Sequence, residues 1–98
     1  MESVAILGAT GSIGKSSLDV ISRYPDRFTV YAVTANSSVK KLAQAAKDSG
    51  AKVAVIADKE LLGALQDELK AAGSRAQALA GAKAIDEIAS SPEVDIVI

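Results

Sequence analysis

Val4-Ala5-Ile6-Leu7-Gly8-Ala9-Thr10-Gly11-Ser12-Ile13-Gly14-Lys15-Ser16-Ser17 is the stretch on which the reading of this chain turns. Four apolar residues, Val4 to Leu7, read as a buried strand. Glycines follow at even spacing, at positions 8, 11 and 14, and then a helical pattern begins. Glycine lets a backbone turn sharply and lets a ligand approach it closely. A helix start offers unpaired N–H groups and the positive end of a dipole. Strand, glycine-rich turn and helix together therefore make a cradle for an anion, most often a phosphate. The bland alternative is a tight strand-to-helix turn with no ligand, for which three glycines and two hydroxyls are more than is required.

Two phosphate compounds fit the string. Gly8, Gly11 and Gly14 form G-x-x-G-x-x-G, a variant of the dinucleotide fingerprint G-x-G-x-x-G. Ala9 to Ser16 also reads A-x-x-x-x-G-K-S, a P-loop with Ala in place of its first Gly, in which Lys15 and Ser16 serve phosphate and magnesium. In the dinucleotide reading Lys15 is incidental.

Outward from this stretch the chain alternates between two periods. Residues 13 to 24 read as a helix with Ile13, Leu18, Val20 and Ile21 on its apolar side and Ser12 as its cap. Tyr24-Pro25 ends it, because a residue before Pro is pushed from helical angles. Asp19 reads as a solvated helix residue. Phe28 to Thr34 is rich in β-branched and aromatic residues and reads as a second strand. A loop at Ala35 to Ser38 leads into a helix with Val39, Leu42, Ala43 and Ala46 on one face, stopped by Gly50. Val53 to Ala57 is a third strand. Asp58 is placed to cap the next helix, whose Leu61, Leu62, Leu65 and Leu69 recur at helical spacing up to Gly73. Gln77 to Ala80 is a short fourth strand, and Ala84, Ile85, Ile88 and Ala89 mark a further helix. Pro92 breaks the pattern, and Val94 to Ile98 starts a fifth strand. Alternation of β and α over the whole chain argues for an α/β fold: a Rossmann-like, doubly wound parallel sheet with helices on both faces. No repeat or linker interrupts residues 1–98, which read as a single domain. The last residues lie within an apolar strand, so the expectation is a fragment truncated at its C-terminus.

Composition narrows the function. Ninety-eight residues support one modest core. Only 3% are aromatic, so Ala, Val, Ile and Leu must build that core, as suits a parallel sheet covered by helices. Eleven basic and twelve acidic residues give a net charge of −1, which points to neither nucleic acid nor an anionic membrane as partner. There is no Cys and no His, which removes thiol chemistry and argues against a zinc site. No signal peptide precedes the first strand, and no apolar run reaches the ~18 to 20 residues of a membrane span.

The turn after the second strand separates the two phosphate readings. NAD-binding proteins place Asp or Glu about 20 residues beyond the glycines to hold the ribose 2′-hydroxyl. Here the strand ends Thr34-Ala35-Asn36-Ser37-Ser38, and no carboxylate occurs between Asp26 and Asp48. A carboxylate would repel a 2′-phosphate, whereas hydroxyls, an amide and a new helix N-terminus receive one. The reading is therefore NADP, with simple helix capping by Ser37 or Ser38 as the alternative. Lys40 and Lys41 read as a solvated helix face. The strand Val53 to Ala57 followed by Asp58 resembles the magnesium-holding strand end of P-loop proteins, a feature common to many α/β proteins.

The residues Ile6-Leu7-Gly8-Ala9-Thr10-Gly11-Ser12-Ile13-Gly14, with Ser16, Leu18-Asp19-Val20 and Arg27-Phe28, closely resemble the start of the 1-deoxy-D-xylulose 5-phosphate reductoisomerase family. Ala54 to Asp58 and Gly73-Ser74 also fit it. The resemblance covers essentially all of the chain but only the N-terminal, NADPH-binding part of the enzyme. It implies that Gly8, Thr10, Gly11, Ser12 and Ile13 contact the cofactor, mainly at its phosphates, and that Asn36, Ser37 and Ser38 hold the 2′-phosphate end. Many members carry a Gly with Lys, Ser or Asn in that turn, where this chain has Ala-Asn-Ser-Ser. The implied whole enzyme rearranges and reduces deoxyxylulose phosphate to methylerythritol phosphate with NADPH and a divalent metal, Mn or Mg. That is an early step of non-mevalonate isoprenoid biosynthesis, carried out by a cytoplasmic homodimer. The metal ligands, catalytic groups and substrate site of the family lie beyond Ile98, so none is assigned here. A P-loop module that binds a nucleotide triphosphate and a nucleotide-sensing domain without chemistry are the competing functions.

Overall fold

A computed structural model describes all residues from Met1 to Ile98. Five strands and four helices alternate along it: β1 (Glu2–Ile6), α1 (Ser12–Ser22), β2 (Phe28–Ala35), α2 (Val39–Ser49), β3 (Val53–Ile56), α3 (Leu62–Ala72), β4 (Gln77–Ala80), α4 (Ala82–Ala89) and β5 (Ile96–Val97). A single 3₁₀ turn, Lys59–Leu61, precedes α3. All strands are parallel, in the order β4-β3-β2-β1-β5. The chain thus winds outward from β1 to β4 and then returns to the far side of β1. This reversal leaves a crevice at the carboxyl ends of β1 and β5, the place where open α/β sheets bind ligands.

The core lies in two layers. Val4 and Ile6 of β1, Val33 of β2 and Ala54 and Ile56 of β3 face Ile21 of α1, Leu42 and Ala46 of α2 and Leu65 and Leu69 of α3. On the other face Ala5, Ala32, Val53 and Val55 meet Ile88 of α4. Helices therefore cover both faces, three on one side and one on the other. Each consecutive step in one direction puts its helix on one face, and the return step puts its helix on the opposite face, as right-handed crossovers require. Gly50 and Gly73 close α2 and α3 in the left-handed conformation, with φ of 69° and 77°, a geometry that glycine adopts without strain.

Three expectations need correction. Ser12 does not cap α1; it is the first helical residue, Gly11 occupies the cap position, and no side chain caps the helix. The buried line of α1 runs through Gly14, Leu18 and Ile21, whereas Ile13 is 80% and Val20 52% exposed. The latter two lie seven residues apart, hence on one stripe displaced from the sheet. That stripe lines an open apolar groove of about 540 Å³ with Phe28, Ile96 and Ile98. Asp58 caps the 3₁₀ turn before α3, its Oδ1 accepting from the Glu60 N–H at 3.0 Å.

Candidate functional site: the β1–α1 turn and the end of β2

The turn between β1 and α1 is short and uses its three glycines for three different reasons. Gly8 has a φ of +70°, a region that residues with a Cβ rarely enter. Gly14 sits where α1 presses on the turn: a Cβ there would stand 2.3 Å from the Gly8 carbonyl oxygen and 2.7 Å from the Ala9 Cα. Gly11 has neither constraint. Its φ is −81°, and a Cβ would meet only the Gly8 carbonyl oxygen at 3.5 Å, an ordinary van der Waals distance. Nothing within the chain requires glycine at position 11. A ligand approaching the backbone would require it.

Helix α1 begins with its first N–H groups uncapped by any side chain and with no acidic residue in its first turn. That combination suits an anion. It also disfavours the P-loop reading. Gly14, Lys15 and Ser16 lie within the opening turns of a helix that has already started at Ser12. Only Leu7 to Gly11 remain to form a loop between strand and helix, too few for the open cradle that the P-loop spacing demands.

The second cluster of expected residues leaves the same edge of the sheet. Ile6 pairs with Val33, so Gly8 and the Thr34-to-Ser38 segment emerge side by side. Thr34 joins them. It is the one buried polar residue of the chain, 3% exposed. Its Oγ1 accepts from the Gly8 N–H at 3.0 Å, and its carbonyl accepts from the Ala9 N–H at 2.8 Å. The glycine turn is thereby pinned to β2 at two successive residues. Sequence reasoning placed Thr34 at the strand end but missed this role, for which no local signal exists across 26 residues of separation. A register shift in β2 next to Tyr31, where Val4 pairs with Val30 but Ala5 pairs with Ala32, sets the face on which Thr34 falls.

Asn36, Ser37 and Ser38 are exposed at this edge. Ser38 occupies the cap position of α2, yet its side chain makes no capping hydrogen bond, and the first turn of α2 carries no acid. Helix capping therefore does not use these hydroxyls. Between α1 and α2 runs a groove of about 650 Å³, with Leu18, Phe28 and Val30 in its floor and Thr10, Lys15 and Lys41 among its polar margins. Thr10 is half-buried and Ser12 and Ile13 are exposed beside it. No group of three or more His, Cys, Asp or Glu side chains is placed to hold a metal ion, and no helix is long and apolar enough to cross a membrane.

Comparison with known proteins agrees with this architecture. The family model described as 1-deoxy-D-xylulose 5-phosphate reductoisomerase matches residues 4–98. The enzyme of that name from Cellvibrio japonicus is 45% identical over 97 residues, which is 99% of this chain and 24% of the relative. The solved structure of the reductoisomerase from Zymomonas mobilis in complex with NADPH superposes with a TM-score of 0.84 at 53% identity, covering 92% of this chain and 23% of that one. A reductoisomerase structure in complex with NADPH, fosmidomycin and magnesium superposes with a TM-score of 0.90 at 36% identity over 99% of this chain and 24% of that one. The chain spans about a quarter of the length of the curated relatives it matches. With the family model matched along nearly its whole length, the chain belongs to the 1-deoxy-D-xylulose 5-phosphate reductoisomerase family.

Proposed function

We propose that residues 1–98 form the NADPH-binding portion of a reductoisomerase that converts deoxyxylulose phosphate to methylerythritol phosphate. The observation that carries this reading is Gly11, a glycine with no conformational or packing need of its own, at the uncapped start of α1. In this proposal the N–H groups of Ser12 and Ile13 receive the pyrophosphate beside Gly11, whose own N–H donates to the Gly8 carbonyl at 3.1 Å, with Gly8 and Thr10 shaping the turn. Asn36, Ser37 and Ser38 receive the 2′-phosphate. NADPH supplies a hydride when bound. The chain's own residues bind the cofactor and orient it across the crevice between β1 and β5. Support also comes from the relatives solved with NADPH.

The divalent metal that the family resemblance implies finds no ligand set among these residues, and no step of the reaction is assigned to it here. Isomerisation and substrate binding are assigned to the part of the relatives that this chain does not cover, as are homodimer formation and a cytoplasmic location to the enzyme as a whole. The test is amide chemical-shift mapping of the 98-residue chain. Addition of NADPH is expected to move the resonances of residues 8–14 and 34–38 together. Movement of the 52–60 segment with ATP and magnesium, and none with NADPH, would replace this proposal by the triphosphate one.

A further inference from the structure

Helix α1 is flanked by two grooves of opposite character. The one toward α2 carries Lys15, Asp19, Lys41 and Asp48, as a solvated helix face does. The one toward β5, of about 540 Å³, is lined by seven apolar residues and three serines and by no charged side chain, in a chain of which 23% is charged. Along α1 its wall is Ile13, Ser16, Ser17 and Val20, the i, i+3, i+4, i+7 pattern of a helix contact face. The small serines in the middle let a neighbouring helix approach closely. The floor is strand: Ile96 and Ile98 lie beside Val4. Ile98 is tied into β1, its N–H donating to the Ala5 carbonyl at 2.9 Å and its carbonyl accepting from the Leu7 N–H at 3.0 Å. Ile13, Val20 and Ile98 are nevertheless exposed. Exposed apolar side chains in a charge-free surround mark a surface that another polypeptide segment covers.

Handedness says which part of the chain can reach it. The steps from β1 to β4 run one way along the sheet and put α1, α2 and α3 on this face, and the step back to β5 puts α4 on the other. A helix leading from β5 to a further parallel strand beside it continues in the direction of α4, so it falls on the α4 face. There it covers Val97, which pairs with Ala5 of that face, and leaves Ile96 and Ile98 open. The cover for the groove therefore comes from a more distant part of the chain. The relatives have such a part, since residues 1–98 span about a quarter of their length.

We propose that this groove is the seat of an amphipathic helix from the part of the enzyme's chain outside residues 1–98, one that is not a crossover of the nucleotide-binding sheet. The docked helix lies along α1 and so joins the rest of the enzyme to the element that carries the glycine turn. Nothing in this depends on which nucleotide the turn holds.

The experiment is photocross-linking in the complete reductoisomerase with Val20→benzoylphenylalanine, together with hydroxyl-radical footprinting of the unsubstituted enzyme and of the 98-residue chain. Val20 stands about two turns from the N-terminus of α1, away from the turn proposed for the cofactor. Oxidation of Val20 is expected to fall several-fold from the 98-residue chain to the complete enzyme, with or without NADPH. The cross-link from position 20 is expected within the same polypeptide, to a segment outside residues 1–98 and outside the helix that directly follows β5. The proposal stands only on both results. Unchanged oxidation of Val20, a cross-link to the helix directly after β5, or a cross-link that joins two copies and doubles the mass on a denaturing gel each overturns it. NADPH titration of the same enzyme keeps the two readings apart. An enzyme that binds NADPH with Val20 open defeats the docking alone, and one with Val20 covered that binds no NADPH defeats the cofactor reading alone.

Discussion

Substituting alanine at Gly11 and, separately, at Gly14 divides the ligand's demands on the β1–α1 turn from the fold's own. At Gly11 the backbone angles suit any residue, and the added methyl meets nothing closer than 3.5 Å. Alanine there restricts the unfolded chain, a gain of about 0.4 to 1 kcal/mol. It is a poorer cap residue than glycine, a loss of roughly the same size. Stability is expected to stay within about 0.5 kcal/mol of the parent. At Gly14 the methyl would fall 2.3 Å from the Gly8 carbonyl oxygen and 2.7 Å from the Ala9 Cα. Both obstacles are backbone atoms, and the turn that holds them is itself pinned by Thr34, so α1 must lift from the sheet. Overpacking of this kind costs about 1 to 3 kcal/mol, partly offset by roughly 1 kcal/mol of helix propensity. A net loss of about 1 kcal/mol, and at most about 2 kcal/mol, lowers the melting temperature by roughly 5 to 10 °C in a domain of this size. Thermal melts followed by circular dichroism, paired with NADPH titration, read both effects. Gly11→Ala is expected to melt like the parent and to lose about tenfold or more in NADPH affinity, because the methyl would intrude where the pyrophosphate meets the backbone. A Gly11→Ala chain that binds NADPH as tightly as the parent would refute the argument that this glycine exists for a ligand.

Other substitutions probe the remaining parts of the site. Thr34→Val keeps the side-chain shape but removes the acceptor for the Gly8 N–H. It is expected to cost about 1 to 3 kcal/mol in urea unfolding and to weaken NADPH binding through a loosened turn; unchanged unfolding would show that the bond contributes nothing. Ser38→Asp places a carboxylate at the free cap position of α2. It is expected to strengthen that helix by about 1 kcal/mol while shifting binding from NADPH toward NADH, and an unaltered cofactor ratio would remove the 2′-phosphate from this turn. Residues 1–98 alone are expected to leave deoxyxylulose phosphate unconverted in the presence of NADPH and magnesium, since the chain presents no metal ligand set; any turnover would contradict that assignment.

What could be read in advance follows from the range over which each feature is decided. Gly50 and Gly73 end their helices as expected, because a left-handed cap is a property of one residue. The short strand at Gln77–Ala80 is likewise found where the local pattern put it. The parallel sheet with helices on both faces followed from the alternation of strands and helices, whereas the strand order, β4-β3-β2-β1-β5, is settled only by the pairing itself. Features that depend on distant parts of the chain escaped. The shift in register beside Tyr31 is a property of the β1–β2 pairing. The bond from Gly8 to Thr34 joins residues whose proximity that pairing creates. Ile13 and Val20 were read as core because they are apolar at nearly helical spacing, yet the helix turns on Gly14 and Ile21, and the spacing does not say which of two adjacent stripes faces the sheet. That Lys15 makes no i,i+4 pair with Asp19 was not legible either, because that carboxylate is held by Arg23 instead.

The most direct test of the central claim is competition among nucleotides for the 98-residue chain. Calorimetric titration with NADPH, NADH and ATP under the same buffer and magnesium concentration sets the dinucleotide and triphosphate readings against each other at the same turn. Saturable binding of NADPH is expected, with weaker binding of NADH and no binding of ATP that depends on Lys15. Tighter binding of ATP than of NADPH, abolished by Lys15→Ala, would contradict it.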